Sequence, residues 1–261
     1  TSQRSLVVGA AASGSNAVTL SANVPVITSS VEAAIGEGAR INIDNNGGAA
    51  SSQTVVVSAA QDLYHIGIAG SVAVGGSAGI GPGIDVAIID LTTKATVGDD
   101  AELFARGDIA VTAFAHEDFV GAGASVGVGG TVGGAGGIAV FSLNSETEAS
   151  IGASAQAHGG ANLIVAASDI TRTSTVVGGI GVGGTAGIGA SIGVGLLNKT
   201  VTASIGDGAQ ISAQGNGGTF IAPSGDEFSS ITTSRGVLID AYSNESVSVL
   251  GVAGGVGGTA G

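Results

Sequence analysis

An acid or a small residue follows an Ile/Val-Gly pair four times. Glu37 follows Ile35-Gly36, Asp99 follows Val97-Gly98, Ala153 follows Ile151-Gly152 and Asp207 follows Ile205-Gly206. Stacked on one edge, Glu37, Asp99 and Asp207 would form a ladder of carboxylates, the ligand type that calcium prefers. Ala153 interrupts the ladder, however, and no GGxGxDxUx nonapeptide recurs; GPGIDVA, from Gly81 to Ala87, is a single partial echo. These acids therefore read as solvated turn carboxylates that discourage edge pairing, and no metal is expected. The three histidines, His65, His116 and His158, share no register and no companion constellation. A Ser-His-Asp set can be assembled from so many Ser and Asp that its availability carries no weight. The sequons Asn198-Lys199-Thr200 and Asn244-Glu245-Ser246 are of the kind a Ser/Thr-rich chain contains by chance. The expectation is a chain with no catalytic, cofactor-binding or metal-binding residues, and not an enzyme.

The elements that would carry such residues show in the parity of the stretch from Val177 to Asn198. Its even positions include Ile180, Val182, Ile188, Ile192, Val194 and Leu196, while Gly179, Gly181, Gly183, Gly187, Gly189, Gly193 and Gly195 fill the odd ones. A period of two belongs to an extended strand, whose successive side chains face opposite ways. Gly at alternate positions would also cost a helix about 1 kcal/mol each. With the methyl groups taken as the core-facing set, Ile188, Ile192 and Val194 are expected in a dry core. The Gly wall is expected to pack on a second layer, a sheet of the same chain or a neighbouring copy, closer than the usual separation of about 10 Å.

The stretch recurs. VGG[ST]xG appears at Val74, Val128, Val182 and Val256, the first three 54 residues apart and the last after 74. From each of the first three to the next [IV]G pair is 23 residues, ending at Val97, Ile151 and Ile205. Counting 23 back from Ile35 reaches Ala12, which makes residues 1–30 a diverged half repeat. The remaining units run 31–92, 93–146, 147–200 and 201–261, all within one solenoid. Extra length is confined to two even-numbered insertions, around Asp44 to Gln53 and within Gln214 to Gly236, each with an Asn-Gly turn signal. Insertions at one site per repeat read as loops on one edge of a solenoid.

A strand of 22 residues far exceeds the common length of about 5–6, so the Gly-rich run is expected to turn at its Gly pairs. That predicts about six short strands per unit, arranged as two coils of about 27 residues, or alternatively three of 18. Two coils per unit would give a rod roughly 45–50 Å long. The fold class expected is all-β: a repetitive, rod-like parallel β-solenoid, or β-helix.

Composition narrows the function. The chain has 261 residues, 44% hydrophobic but only 3% aromatic, with 49 Gly and no Cys. Thin layers of Val, Ile, Ala and Leu are implied, with neither disulfides nor thiol chemistry. A formal charge of −13 disfavours nucleic acid and anionic membrane surfaces as partners. The run after Gly183 is long enough to suggest a membrane helix, but its parity argues otherwise. A membrane barrel would show aromatic girdles, so no membrane insertion is expected. The chain stops inside a motif, at Thr259-Ala260-Gly261, as a piece of a longer protein would. Thr131, Thr185 and Thr259 recur on the flat Gly face, yet one Thr per unit is too sparse for ice binding.

The segments VTASIGDGAQISAQGN (Val201 to Asn216) and GGIGVGGTAGIGASIGVGLLN (Gly178 to Asn198) resemble the repeat regions of large bacterial leukotoxin-type filamentous adhesins. These are surface proteins exported by type V pathways. The resemblance covers nearly the whole chain. It implies a β-solenoid shaft, an extracellular or bacterial cell-surface location, and an adhesive or filament-forming role without catalysis. The expected partners are neighbouring copies of the chain and a possible host or cell-surface receptor. A secreted β-helix enzyme acting on polysaccharide is the alternative. Such an enzyme would cluster acids and bases on one face over a few coils, where a shaft repeats the same face.

Overall fold

Each Gly-rich run is one strand rather than several. The computed structural model describes residues 1–43, 49–216, 220–224 and 230–259. The first coil holds β1 (Ser2–Ser13), β2 (Asn16–Val18), β3 (Ser21–Asn23), β4 (Val26–Ile35) and β5 (Arg40–Ile41). The second holds β6 (Val55–Gly75), β7 (Ala78–Val97) and β8 (Glu102–Ala105); the third, β9 (Ile109–Gly129), β10 (Val132–Ile151) and β11 (Gln156–Gly159). The fourth holds β12 (Leu163–Gly183), β13 (Ala186–Ile205) and β14 (Gln210–Ala213). A hairpin, β15 (Phe220–Ser224) and β16 (Ser230–Ser234), precedes β17 (Val237–Gly257), which opens a fifth coil. Among the described residues there is no helix.

Three parallel ladders stack these coils: β1-β6-β9-β12-β17 (the first sheet), β13-β10-β7 with β2, β3 and β4 (the second), and the short β14-β11-β8-β5 (the third). The fold is a parallel β-solenoid. One coil takes up a whole 54-residue repeat: Val74 pairs with Val128 and Val128 with Val182. The N-terminal half repeat falls in the expected register, with Ala12 beside Val74 and Val18 beside Ile80.

This corrects the division into two or three coils of short strands. The chain does turn at Gly pairs, but only once per run. β6 and β7 are 21 and 20 residues long and meet at Gly76-Ser77. Strand length is limited by what the partner strands bury, and here every backbone group finds the same partner one coil away, so no length penalty arises. The long strands reach roughly 70 Å, whereas five coils advance the axis by only about 19 Å at 4.8 Å per step. The described chain is a broad blade rather than a slender rod of 45–50 Å.

The parity assignment is also corrected: the odd positions point inward. Ile188, Ile192 and Leu196 are exposed by 62%, 55% and 59%, and the glycines of the same strands face the opposite sheet. A Cβ on Gly133 would collide with the carbonyl of Val182, and one on Gly127 with that of Gly134. The expectation that the Gly wall packs closely on another sheet of the chain holds, with Cα atoms of the facing sheets within 8 Å against about 10 Å for ordinary sheets. Backbone fills the space that side chains fill elsewhere.

Interior bulk grows away from that thin end. Leu63, Ile89, Leu91, Phe119, Phe141 and Leu143 form a central cluster. A larger one, including Val97, Leu103, Ile109, Val111, Ile151 and Leu163, fills the wide end where the third sheet closes the coil. The wedge shape follows from inward residue size: Gly and Ala at the tip, Leu and Phe midway, Val, Ile and Leu at the base.

Both insertions leave at one corner, between the third sheet and the first, as expected. The longer one contains the antiparallel hairpin β15–β16, and β15 lies against β12. Even-numbered Ile164, Ala166, Ser168 and Ile170 of β12 are buried there despite outward parity. Asp226 and Glu227 lie outside the described residues.

Candidate functional site

The inward face is not wholly apolar. Midway along the strands, odd-numbered Glu117 (β9), Asp169 and Thr171 (β12), Ser145 and Thr147 (β10) and Lys199 (β13) meet inside the blade. Glu117, Asp169, Thr147 and Thr171 are fully buried, and the Lys199 side chain is only 7% exposed. Register places Thr171 beside Glu117, and Lys199 beside Ser145. The first three residues belong to the first sheet and the last three to the second, so the cluster bridges the two layers.

Its geometry is tight. Lys199 Nζ lies 2.5 Å from Asp169 Oδ1 and donates to Thr171 Oγ1 at 2.6 Å. Thr171 in turn donates to Glu117 Oε2 at 2.7 Å. Asp169 Oδ2 accepts from Ser145 Oγ at 2.7 Å and from Thr147 Oγ1 at 3.1 Å. Glu245 of β17 approaches Lys199 Nζ to 3.5 Å from the more open end coil. Burial, reinforced by the neighbouring Asp169 carboxylate and a hydrogen bond to it, raises the Glu117 carboxyl to about 8; Thr171 and Lys199 pull weakly the other way. Glu117 is thus a protonated acid at neutral pH beside a buried amine and a second carboxyl.

The sequence reading missed this cluster. The signal was parity: Glu117, Asp169 and Lys199 share odd numbering with the inward glycines, and taking the even positions as core placed the three in solvent.

A second interior polar point lies nearer the tip. Asn23 Nδ2 donates to Asp85 Oδ1 at 2.6 Å, and Ser5 Oγ donates to Asn23 Oδ1 at 2.5 Å. Burial raises the Asp85 carboxyl while the Asn23 hydrogen bond lowers it. Gly67 makes the room, since a Cβ there would meet the carboxylate.

The three histidines occupy unrelated places. His65 is inside, 6.4 Å from Phe119 by ring centroids, with no hydrogen-bond partner for either nitrogen among the described residues, and desolvation lowers its pKa. His116 is on the outer face, with Nδ1 3.1 Å from Asp62 Oδ1 and Nε2 3.5 Å from Arg172. His158 pairs with Ser212 at 2.7 Å and stacks on Phe104 at 5.0 Å. It borders an open groove of about 620 Å³ that also takes in Arg106 and Gln214.

The turn acids Glu37, Asp99 and Asp207 stack at the corner between the second and third sheets. There Asp99 Oδ1 accepts the backbone N–H of Ala153 in the next coil at 2.7 Å, so this carboxylate caps a turn. The positive φ that the corner requires falls on Gly38, Asp100, Ser154 and Gly208 in successive coils. Among the described residues, no group of three or more His, Asp or Glu side chains is placed to hold a metal ion.

Outside, the strands change character along their length. Near the base the second sheet presents Asp90, Thr92, Lys94 and their counterparts, with Asn144 donating to Asp90 at 2.8 Å and Asn198 to Asn144 at 3.3 Å. Towards the tip both outer faces are apolar. Ile84, Ile138 and Ile192 align on the second sheet. On the first, the row Gly70, Ala124 and Gly178 floors a shallow apolar channel walled by Val72, Val126 and Ile180. Among the described residues no helix is long and apolar enough to cross a membrane.

No protein-family model, curated protein sequence or solved structure matches this chain.

Proposed function

We propose that this chain is a structural shaft segment of a secreted bacterial surface adhesin, working outside the cell by rigidity and packing rather than by catalysis. The observation that carries this reading is repetition. One cross-section recurs coil after coil in unbroken parallel register over strands of 20–21 residues, which is how a solenoid builds length. The acids that an enzyme would place on an open face are sealed between the sheets here, at Glu117 and Asp169, and this favours a shaft over a polysaccharide-cleaving enzyme.

The apolar outer faces support packing against neighbouring copies. Each spans nine or ten residues of strand and several coils, about 30 Å by about 19 Å, or roughly 600 Å². That is at the upper end of apolar patches on ordinary monomers, about 300–600 Å², and approaches the roughly 800 Å² that each partner buries in a standard interface.

Sedimentation of the purified chain tests the packing. Val72→Lys, Val126→Lys and Ile180→Lys together should convert an assembling protein into a monomer with unchanged β-sheet circular dichroism. Protease treatment of intact producing cells tests the location: the chain should be shaved from the surface. A chain that stays protected inside unlysed cells, or that is monomeric without the substitutions, counts against this reading.

A further inference from the structure

We propose that Lys199 and Asp169 condense spontaneously inside the folded blade to form an amide cross-link between the two sheets, with Glu117 as the acid–base catalyst. The reading of the chain as a shaft is not needed for this chemistry.

The reactants are already in place. The 2.5 Å approach of Lys199 Nζ to Asp169 Oδ1 holds the amine next to the carboxyl carbon it would attack. Fixing two groups this way replaces a bimolecular encounter with a unimolecular step, and effective molarities reach about 10⁵ M and above. Ser145 and Thr147 both donate to Oδ2. They therefore polarise the carboxyl and stand ready for the oxyanion of a tetrahedral intermediate. The chain Lys199 Nζ–Thr171 Oγ1–Glu117 Oε2 is a proton path from the amine to the acid. Glu117 is hydrogen-bonded to Asp169 as well, and its raised pKa keeps a proton on it at neutral pH.

The step balances without an oxidant or co-reactant. Glu117 passes its proton to Asp169 Oδ1 and is reprotonated from the Lys199 ammonium through Thr171. The neutral amine forms the Cγ–Nζ bond. A second nitrogen proton reaches Oδ1, the Cγ–Oδ1 bond breaks, and one water leaves. An ammonium and a carboxylate become a neutral amide plus water, while Glu117 ends as it began. A driving force lies in burial: two charges sealed from solvent carry a desolvation cost that a neutral amide does not. Lys94, the other lysine of the chain, sits on the outer face against Glu146 and Glu148, which leaves Lys199 as the interior nucleophile.

The test is the intact mass of the purified, folded full chain, measured in denaturant. The expected mass is one water below the sequence mass. A tryptic digest should show no cleavage after Lys199 and a branched peptide joining its segment to that of Asp169. Lys199→Arg should run at the sequence mass. Asp169→Asn should still condense, losing ammonia instead of water and giving the same product, which separates reactivity from folding. Glu117→Gln, checked for native circular dichroism, should form the link at least about 100-fold more slowly. A folded chain at its sequence mass with free Lys199 overturns the proposal. So does a water loss that maps elsewhere, such as a succinimide at Asp207-Gly208. Linkage at an unchanged rate in Glu117→Gln overturns the role of that residue.

Discussion

Gly133 of β10 faces the carbonyl of Val182 in β12 so closely that a Cβ would collide with it. Gly136, three residues on, points outward with nothing within 4 Å of a Cβ. Two glycines of one strand thus have opposite duties. Gly133→Ala must force the facing sheets apart and should cost about 1–3 kcal/mol, as overpacking does. Gly136→Ala removes only unfolded-state freedom and should be neutral or stabilising by up to about 1 kcal/mol. Urea unfolding of the two variants decides this; equal effects would mean that the tip is not close-packed.

The inward set is tested by Leu143, fully buried, against Ile192, more than half exposed. Leu143→Ala should cost about 2–5 kcal/mol. Ile192→Asp should leave the fold standing and act chiefly on association. The reverse ranking would restore the even positions to the core.

These two pairs also show what was legible in the sequence. Parity fixed the strands, the 54-residue register fixed the ladder, and the common insertion site fixed the corner. What parity cannot do is choose a side. Burial normally assigns the apolar set inward, because apolar area leaving water is the main favourable term. Here Gly133 and Gly187 let two sheets approach until backbone packs on backbone, and the bulkier Ile188 and Ile192 are left outside. The charged residues were the better guide. Lys199 and Asp169 share parity with glycine, so the same error that put Ile192 inside kept their pairing out of view.

The β15–β16 hairpin is more than a dispensable loop. Ile164 and Ile170 point outward from the first sheet and are nonetheless buried, on the strand against which β15 lies. A loop of this length would by itself cost little to remove. Deleting 216–234 should instead lower stability by a few kcal/mol, since burying each isoleucine side chain contributes about 1.5–3 kcal/mol. Changing both isoleucines to Thr in the deletion variant should recover solubility. Thermal melts that superimpose on the intact chain would show that the hairpin covers nothing of consequence.

His65 gives the fold an acid-side weakness. It is 2% exposed, neither ring nitrogen has a partner among the described residues, and burial holds its pKa below the ordinary 6.5. The unfolded chain therefore binds a proton near pH 6.5 that the folded chain refuses, and stability falls as pH drops below that value. Glu117 acts in the opposite sense. Its folded pKa of about 8 lies above the model value of 4.5, so its contribution is fully present below pH 4.5 and is lost as pH rises towards 8. The two overlap, and the informative quantity is the difference between wild type and His65→Leu. The variant should be more stable by about 1–3 kcal/mol, the cost of a buried unsatisfied polar group. Its advantage should widen as pH falls from 7 to 5. Unfolding midpoints in urea at those two pH values measure it, and an advantage that stays constant would mean that His65 finds a proton partner inside the fold.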